Sequence, residues 1–122
     1  MSEERIVPRF KVLVSYDMNT PDVDSYYQFV MGEFVPAVQA MGVRSAAGQA
    51  QVSMNLLDYT TTPVHRAFEA VQAEAARHGV EVHESEVVGL IPLDAVADVA
   101  RASLRLRGFD RGQILEAKLM EE

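Results

Sequence analysis

The sequence predicts an α+β fold, an antiparallel sheet with its main helices on one face and extra helices at the C-terminal end. Three observations carry this. Short β-forming segments alternate with helix-start signals, Thr20-Pro21, Thr62-Pro63 and Pro92. Residues 51–56 alternate polar and apolar, the period of a half-buried strand rather than a helix. Glycines 32, 79 and 108 stand where the helical patterns stop, as expected of left-handed C-terminal caps.

Taken in order, Phe10–Tyr16 (FKVLVSY) is dense in β-formers and reads as a strand. Thr20 as N-cap, Pro21 in the first helical turn and Asp22 at the positive end of the dipole start a helix over 20–32. Residues 37–46 and 49–57 read as the arms of a hairpin turning around Gly48. Thr62-Pro63 starts a second helix, with Val64, Phe68, Val71, Ala75 and Ala76 at helical spacing until Gly79. Residues 80–91 read as the last strand, where Gly89 suggests a bulge or a close backbone approach. Pro92 opens a third helix with Leu93, Val96, Ala97, Ala100 and Leu104 on one stripe, and Asp110 caps a short final helix carrying Ile114, Leu115 and Leu119. Strand, helix, hairpin, helix, strand is the βαββαβ order of ferredoxin-like folds.

The chain has 122 residues, the size of one domain; residues 1–9 read as a lead and 10–122 as a single domain. It contains no cysteine, which excludes disulfides and thiolate chemistry. No apolar run is long enough to span a bilayer, and the acidic start MSEERIVPRF is unlike a secretory signal; the expectation is a cytoplasmic protein. A net charge of −7 repels nucleic acid. The late arginines Arg101, Arg105, Arg107 and Arg111 fit a solvated helix face paired with Asp98, Asp110 and Glu116.

Candidate site residues follow from strand parity. If Val52, Met54 and Leu56 lie under the helices, then Gln51, Ser53 and Asn55 face the uncovered side of the sheet. Their amides and hydroxyl suit a ligand rich in donors and acceptors, although a wet sheet face carries polar residues in any case. Glu86 flanks the last apolar run, where it either accepts ligand N–H groups or caps a helix. Tyr16 and Asn19 end the first strand and are placed to line the same opening, with Asn19 equally explained as a turn residue. His83 shares parity with Ser85 and is the histidine placed nearest a ligand; His65 and His78 sit in the first and last turns of the second helix. No two histidines stand at ligand spacing, so no metal site is expected. No nucleophile elbow or glycine-rich phosphate loop occurs, and no residue is assigned a catalytic role.

The stretch QVSMNLLDYTTTPVHRAFEAVQAEAARHGV (51–80), followed by SEVVGLIPLDAVADVA (85–100), resembles the glutamate formimidoyltransferase (formiminotransferase) family. AVQAMGVRS (37–45) and KVLVSYDMNTPD (11–22) extend the resemblance over nearly the whole chain, to the family's C-terminal subdomain. It implies a ferredoxin-like subdomain that, with an N-terminal subdomain bearing the catalytic histidine, encloses a folate between facing sheets. The implied reaction moves a formimidoyl group from N-formimidoyl-glutamate to tetrahydrofolate, which acts as substrate. The implied partners are a folate-type small molecule and either a separate catalytic-subdomain chain or a second copy of this one. The alternative is a non-enzymatic ferredoxin-like module that senses small molecules or binds proteins.

Overall fold

A computed structural model of the chain describes residues 7–16, 36–45, 50–77 and 79–120. The expected first helix (20–32), Asn19, the Gly48 turn and His78 lie outside the described residues.

Four strands form one antiparallel sheet: β1 (Phe10–Tyr16), β2 (Val38–Arg44), β3 (Ala50–Leu56) and β4 (Val82–Val88), in the spatial order β2-β3-β1-β4. The strand that opens the chain lies between β3 and β4, the ferredoxin-like arrangement expected from the element order. Around it come helices α1 (Val64–Arg77), α2 (Leu93–Leu104) and α3 (Leu115–Met120), the last preceded by a 3₁₀ turn over Arg111–Gln113.

Alternation along the two central strands sorts the side chains. In β1, Phe10, Val12, Val14 and Tyr16 are buried, and in β3, Ala50, Val52, Met54 and Leu56 are likewise buried. Register aligns these sets, Phe10 opposite Leu56, Val12 opposite Met54 and Val14 opposite Val52. They form one cluster with Val64, Ala67, Val71 and Ala75, so α1 covers this face. Ala95 of α2 joins the same cluster, and Phe68, Ile91 and Val99 pack at its margin. Phe10 and Tyr59 set their rings 6.3 Å apart at 54°, within the tilted range aromatic pairs favour.

The start of α1 differs in detail from the expected cap. Pro63 occupies the capping position, its carbonyl accepting from the amides of Arg66 and Ala67. Thr62, one residue earlier, is buried and donates its hydroxyl to the carbonyl of Pro36. The hydroxyl therefore ties the helix start to the approach of β2. At the other end Gly79 has φ +71°; its amide bonds to the Ala76 carbonyl and that of Val80 to the Ala75 carbonyl. This is a Schellman closure, in which the buried Val80 supplies the apolar contact.

Helix α2 follows Pro92 as expected but ends at Arg105, in the left-handed region at φ 54°, before Gly108. Its buried residues are Ala95 and Ala97. Val96 and Leu104, expected on the buried stripe, are 45% and 69% exposed, so α2 seats through small residues at a shallow contact. Asp110 caps the 3₁₀ turn, its carboxylate accepting from the Gly112 amide at 2.8 Å, and α3 begins after it. Ala117 is the buried residue of α3. Two of the late arginines pair with helix carboxylates: Arg101 with Asp98 at 2.6 Å and Arg111 with Asp94 at 3.1 Å. Arg101 also lies over the Phe109 ring, 5.8 Å from its centroid. Asp98 is thus an expected partner and Asp94 replaces Asp110. No described helix is long and apolar enough to cross a membrane.

Two substitutions test these joints. A Cβ at Gly79 meets nothing within 4 Å, so Gly79→Ala should cost only the left-handed backbone penalty, about 1 kcal/mol. Thr62→Val leaves the Pro36 carbonyl without its donor and should cost about 1–3 kcal/mol. Both are read from urea unfolding midpoints.

Candidate functional site

The register that buries the even positions of β1 brings its odd positions together on the other face. Three rows cross the sheet. One runs Val43, Gln51, Ser15, Glu84; the next runs Met41, Ser53, Leu13, Glu86; the third runs Gln39, Asn55, Lys11, Val88. Gln51, Ser53 and Asn55 are half-buried, as are Lys11 and Leu13, whereas Glu84 and Glu86 are exposed. The structure thus brings Gln51, Ser53, Asn55 and Glu86 onto one face, opposite the core.

Within that face one contact is already formed. Gln51 Nε2 donates to Ser15 Oγ at 2.9 Å. Ser15 is buried, and the bond turns the Gln51 amide so that its carbonyl oxygen remains as an acceptor. Ser15 carried no signal in the sequence beyond its place in a strand, because its role depends on standing opposite Gln51.

Tyr16 is a correction. It points the other way from the candidate face and is fully buried in the core cluster. Asn19 lies outside the described residues. His83 departs from the parity reading too, because the β1–β4 register shifts between Ser15, opposite Glu84, and Tyr16, opposite Val82. The irregularity inserts an extra residue into β4. His83 Nε2 lies 3.3 Å from Glu84 Oε1, while Ser85 faces the helices. The bulge falls at His83–Glu84; Gly89, with φ +89°, follows the strand's end.

On the helix side, a groove of about 490 Å³ runs between α1, α2 and β4; Val12, Phe68, Ser85, Val87, Ile91 and Val99 are among its described lining. His65 lines it as well, with Nδ1 buried and without a hydrogen-bond partner among the described residues.

The DYTTTP segment is a structural turn. Asp58 Oδ1 accepts from the Thr60 amide at 2.9 Å and from the Thr60 hydroxyl, and Oδ2 accepts from the Thr61 hydroxyl at 3.1 Å. The amides of Thr61 and Thr62 both bond to the Asp58 carbonyl. The Thr60 hydroxyl is the main cause holding the Asp58 carboxyl below its usual 3.8; desolvation opposes it, and the Thr60 amide and Thr61 add to the lowering. These bonds favour the ionised form.

Together, fold and face define a class: a small α+β module with one dry sheet face and one open polar face. Sequence comparison supplies the family. A profile of the formiminotransferase domain matches residues 27–110. The chain is 56% identical over 69 residues to a glutamate formimidoyltransferase of Thermoplasma acidophilum, covering 57% of this chain and 23% of that protein. It is 46% identical over 72 residues to a glutamate formimidoyltransferase of Streptococcus pyogenes, covering 58% of this chain and 24% of that protein. A formimidoyltransferase-cyclodeaminase of Mus musculus is 47% identical over 51 residues, covering 42% of this chain and 9% of that protein. The chain belongs to the formiminotransferase domain family. It spans about a quarter of the length of the microbial relatives it matches.

The lowered pKa of Asp58 has a pH consequence. Its contribution to stability is fully present above 3.8 and is lost as pH falls through the lower folded-state value. The side-chain carboxyl carbon of Asp58 should titrate below 3.8 in carbon-13 NMR, and Thr60→Val should move that midpoint upward.

Proposed function

We propose that this chain is the folate-binding, C-terminal-type subdomain of a formimidoyltransferase, which transfers a formimidoyl group from N-formimidoyl-glutamate to tetrahydrofolate. Residues 1–9 form a lead in this reading and 10–122 the subdomain. The observation that carries it is the face holding Gln51, Ser53, Asn55 and Glu86, three of them on one strand and the fourth two strands away. The relatives are named for formimidoyl transfer, which supports reading the face as serving that chemistry.

Amide, hydroxyl and carboxylate groups spread over a sheet match a folate, whose pterin ring and amide tail present donors and acceptors. The fixed Gln51 carbonyl accepts an N–H, Ser53 and Asn55 supply either kind of bond, and Glu86 accepts from an amino group. Leu13 and Met41, neighbours of Ser53 in register, give the ring an apolar floor. In this reading the sheet is one wall, and a second wall is needed to exclude water and complete the chemistry. A separate chain bearing a catalytic subdomain supplies that wall; a second copy of this chain is the other candidate. The setting is cytoplasmic one-carbon metabolism in the breakdown of histidine, and this chain contributes binding rather than a catalytic group.

A second reading draws on exposed apolar residues of the same face. Met41 and Val88 are 58% and 45% exposed, which suits a non-enzymatic interaction module or a homodimer. Titration calorimetry with tetrahydrofolate separates the two. Ser53→Val with Asn55→Leu should weaken binding by about tenfold or more, on the order of 1.4 kcal/mol. No binding to the wild-type chain at millimolar ligand, or an unchanged affinity in the double variant, refutes the folate reading. A change of oligomeric state alone, seen by light scattering, supports the second.

A further inference from the structure

The open face has a direction. Its charged residues are separated along the strands: Lys11 stands in the row of Gln39 and Asn55, and Glu84 stands in the row of Gln51 and Ser15, with Glu86 in the row between. Lys11 and Ser15 are four residues apart along β1, about 13 Å at the usual rise of a strand. The residues directly opposite Lys11 are Asn55 and Val88, so no carboxylate faces its ammonium across the ladder. Arg9, exposed and two residues before it, adds a second cation at the same end of β1. The far end is rich in acceptors, with the Glu84 carboxylate beside Ser15 and a Gln51 amide that uses its N–H on Ser15 and keeps its carbonyl as an acceptor. Between the ends lie Leu13 and Met41.

We propose that Lys11 and Glu84 set the polarity of the ligand on this face. The N–H-rich head lies toward Glu84, Ser15 and Gln51, the flat middle crosses Leu13 and Met41, and the carboxylate tail ends at Lys11. The inference rests on the folate reading and adds to it an orientation and two specificity-determining residues. A pterin joined through aminobenzoyl to glutamate has this order of chemistry: amino and ring N–H groups, an aromatic centre, then carboxylates. The reverse placement sets the tail carboxylates against Glu84 and leaves the head's donors facing an ammonium. Like-charge contact of that kind disfavours the wrong pose more than any single attraction favours the right one.

The two halves of the ligand can be tested separately on the full chain. Nitrogen-15 labelled protein is titrated with 6-hydroxymethylpterin, with 4-aminobenzoyl-glutamate and with folic acid, following the backbone amides. The pterin should shift Glu84, Ser15 and Gln51, and aminobenzoyl-glutamate should shift Lys11, Asn55 and Gln39. Lys11→Met should weaken aminobenzoyl-glutamate by about tenfold, the loss of one charge-assisted bond, and leave the pterin unchanged. Lys11→Arg should restore it, and Glu84→Gln should show the opposite selectivity. Each variant's spectrum reports whether its fold is intact. Exchanged footprints, or equal losses for both fragments in Lys11→Met, overturn the polarity and leave the folate reading standing. If none of the three ligands shifts an open-face amide of the wild-type chain, both fail.

Discussion

The pairing of β1 with β3 is the constraint on which the rest depends. Side chains alternate across a strand, so a single register decides two surfaces at once. With Val14 opposite Val52 and Val12 opposite Met54, every even position of β1 and β3 is buried. The odd positions, Lys11, Leu13, Ser15, Gln51, Ser53 and Asn55, then share a face. A slip by one residue would place Lys11 and Gln51 in the core and expose Met54. Burial of Val14, Val52, Met54 and Leu56, each at 0% exposure, excludes it. The core therefore specifies the candidate site without touching it.

Much of this was legible in the sequence because the signals were local. The alternation in 51–56, Thr-Pro before α1, Gly79 after it and Pro92 before α2 each concern a few adjacent residues, and the element order followed. What escaped notice depended on partners far along the chain. Thr62 looks like a cap until Pro36 offers a carbonyl. His83 follows parity until β4 gains an extra residue against β1. Tyr16 ends a strand, a place that suits the lining of an opening, but even parity carries it into the core. The stripe on α2 contains Ala97, which is buried, but it also takes in the exposed Val96 and Leu104 and leaves out the buried Ala95. Periodicity finds a helix face more reliably than it finds the depth to which that face sinks.

The candidate site was legible to the same degree. Gln51, Ser53 and Asn55 follow from one strand's alternation. Glu86 joins them only through the β1–β4 register, and Ser15 only through its bond to Gln51. The DYTTTP motif, prominent in the sequence, serves to carry the chain from β3 into α1. Asp58 there spends both carboxylate oxygens on the following two threonines.

Strand β4 has a consequence for how the molecule meets others. It is an outer strand, exposed along nearly its whole length, and a margin of this kind invites another chain to add to the sheet. Here the margin is irregular at His83–Glu84 and carries Glu84 and Glu86, just after Glu81. An incoming strand would meet a broken ladder and a line of negative charge. Among the described residues the border thus disfavours strand addition, which leaves the broad polar surface as the better place for contact.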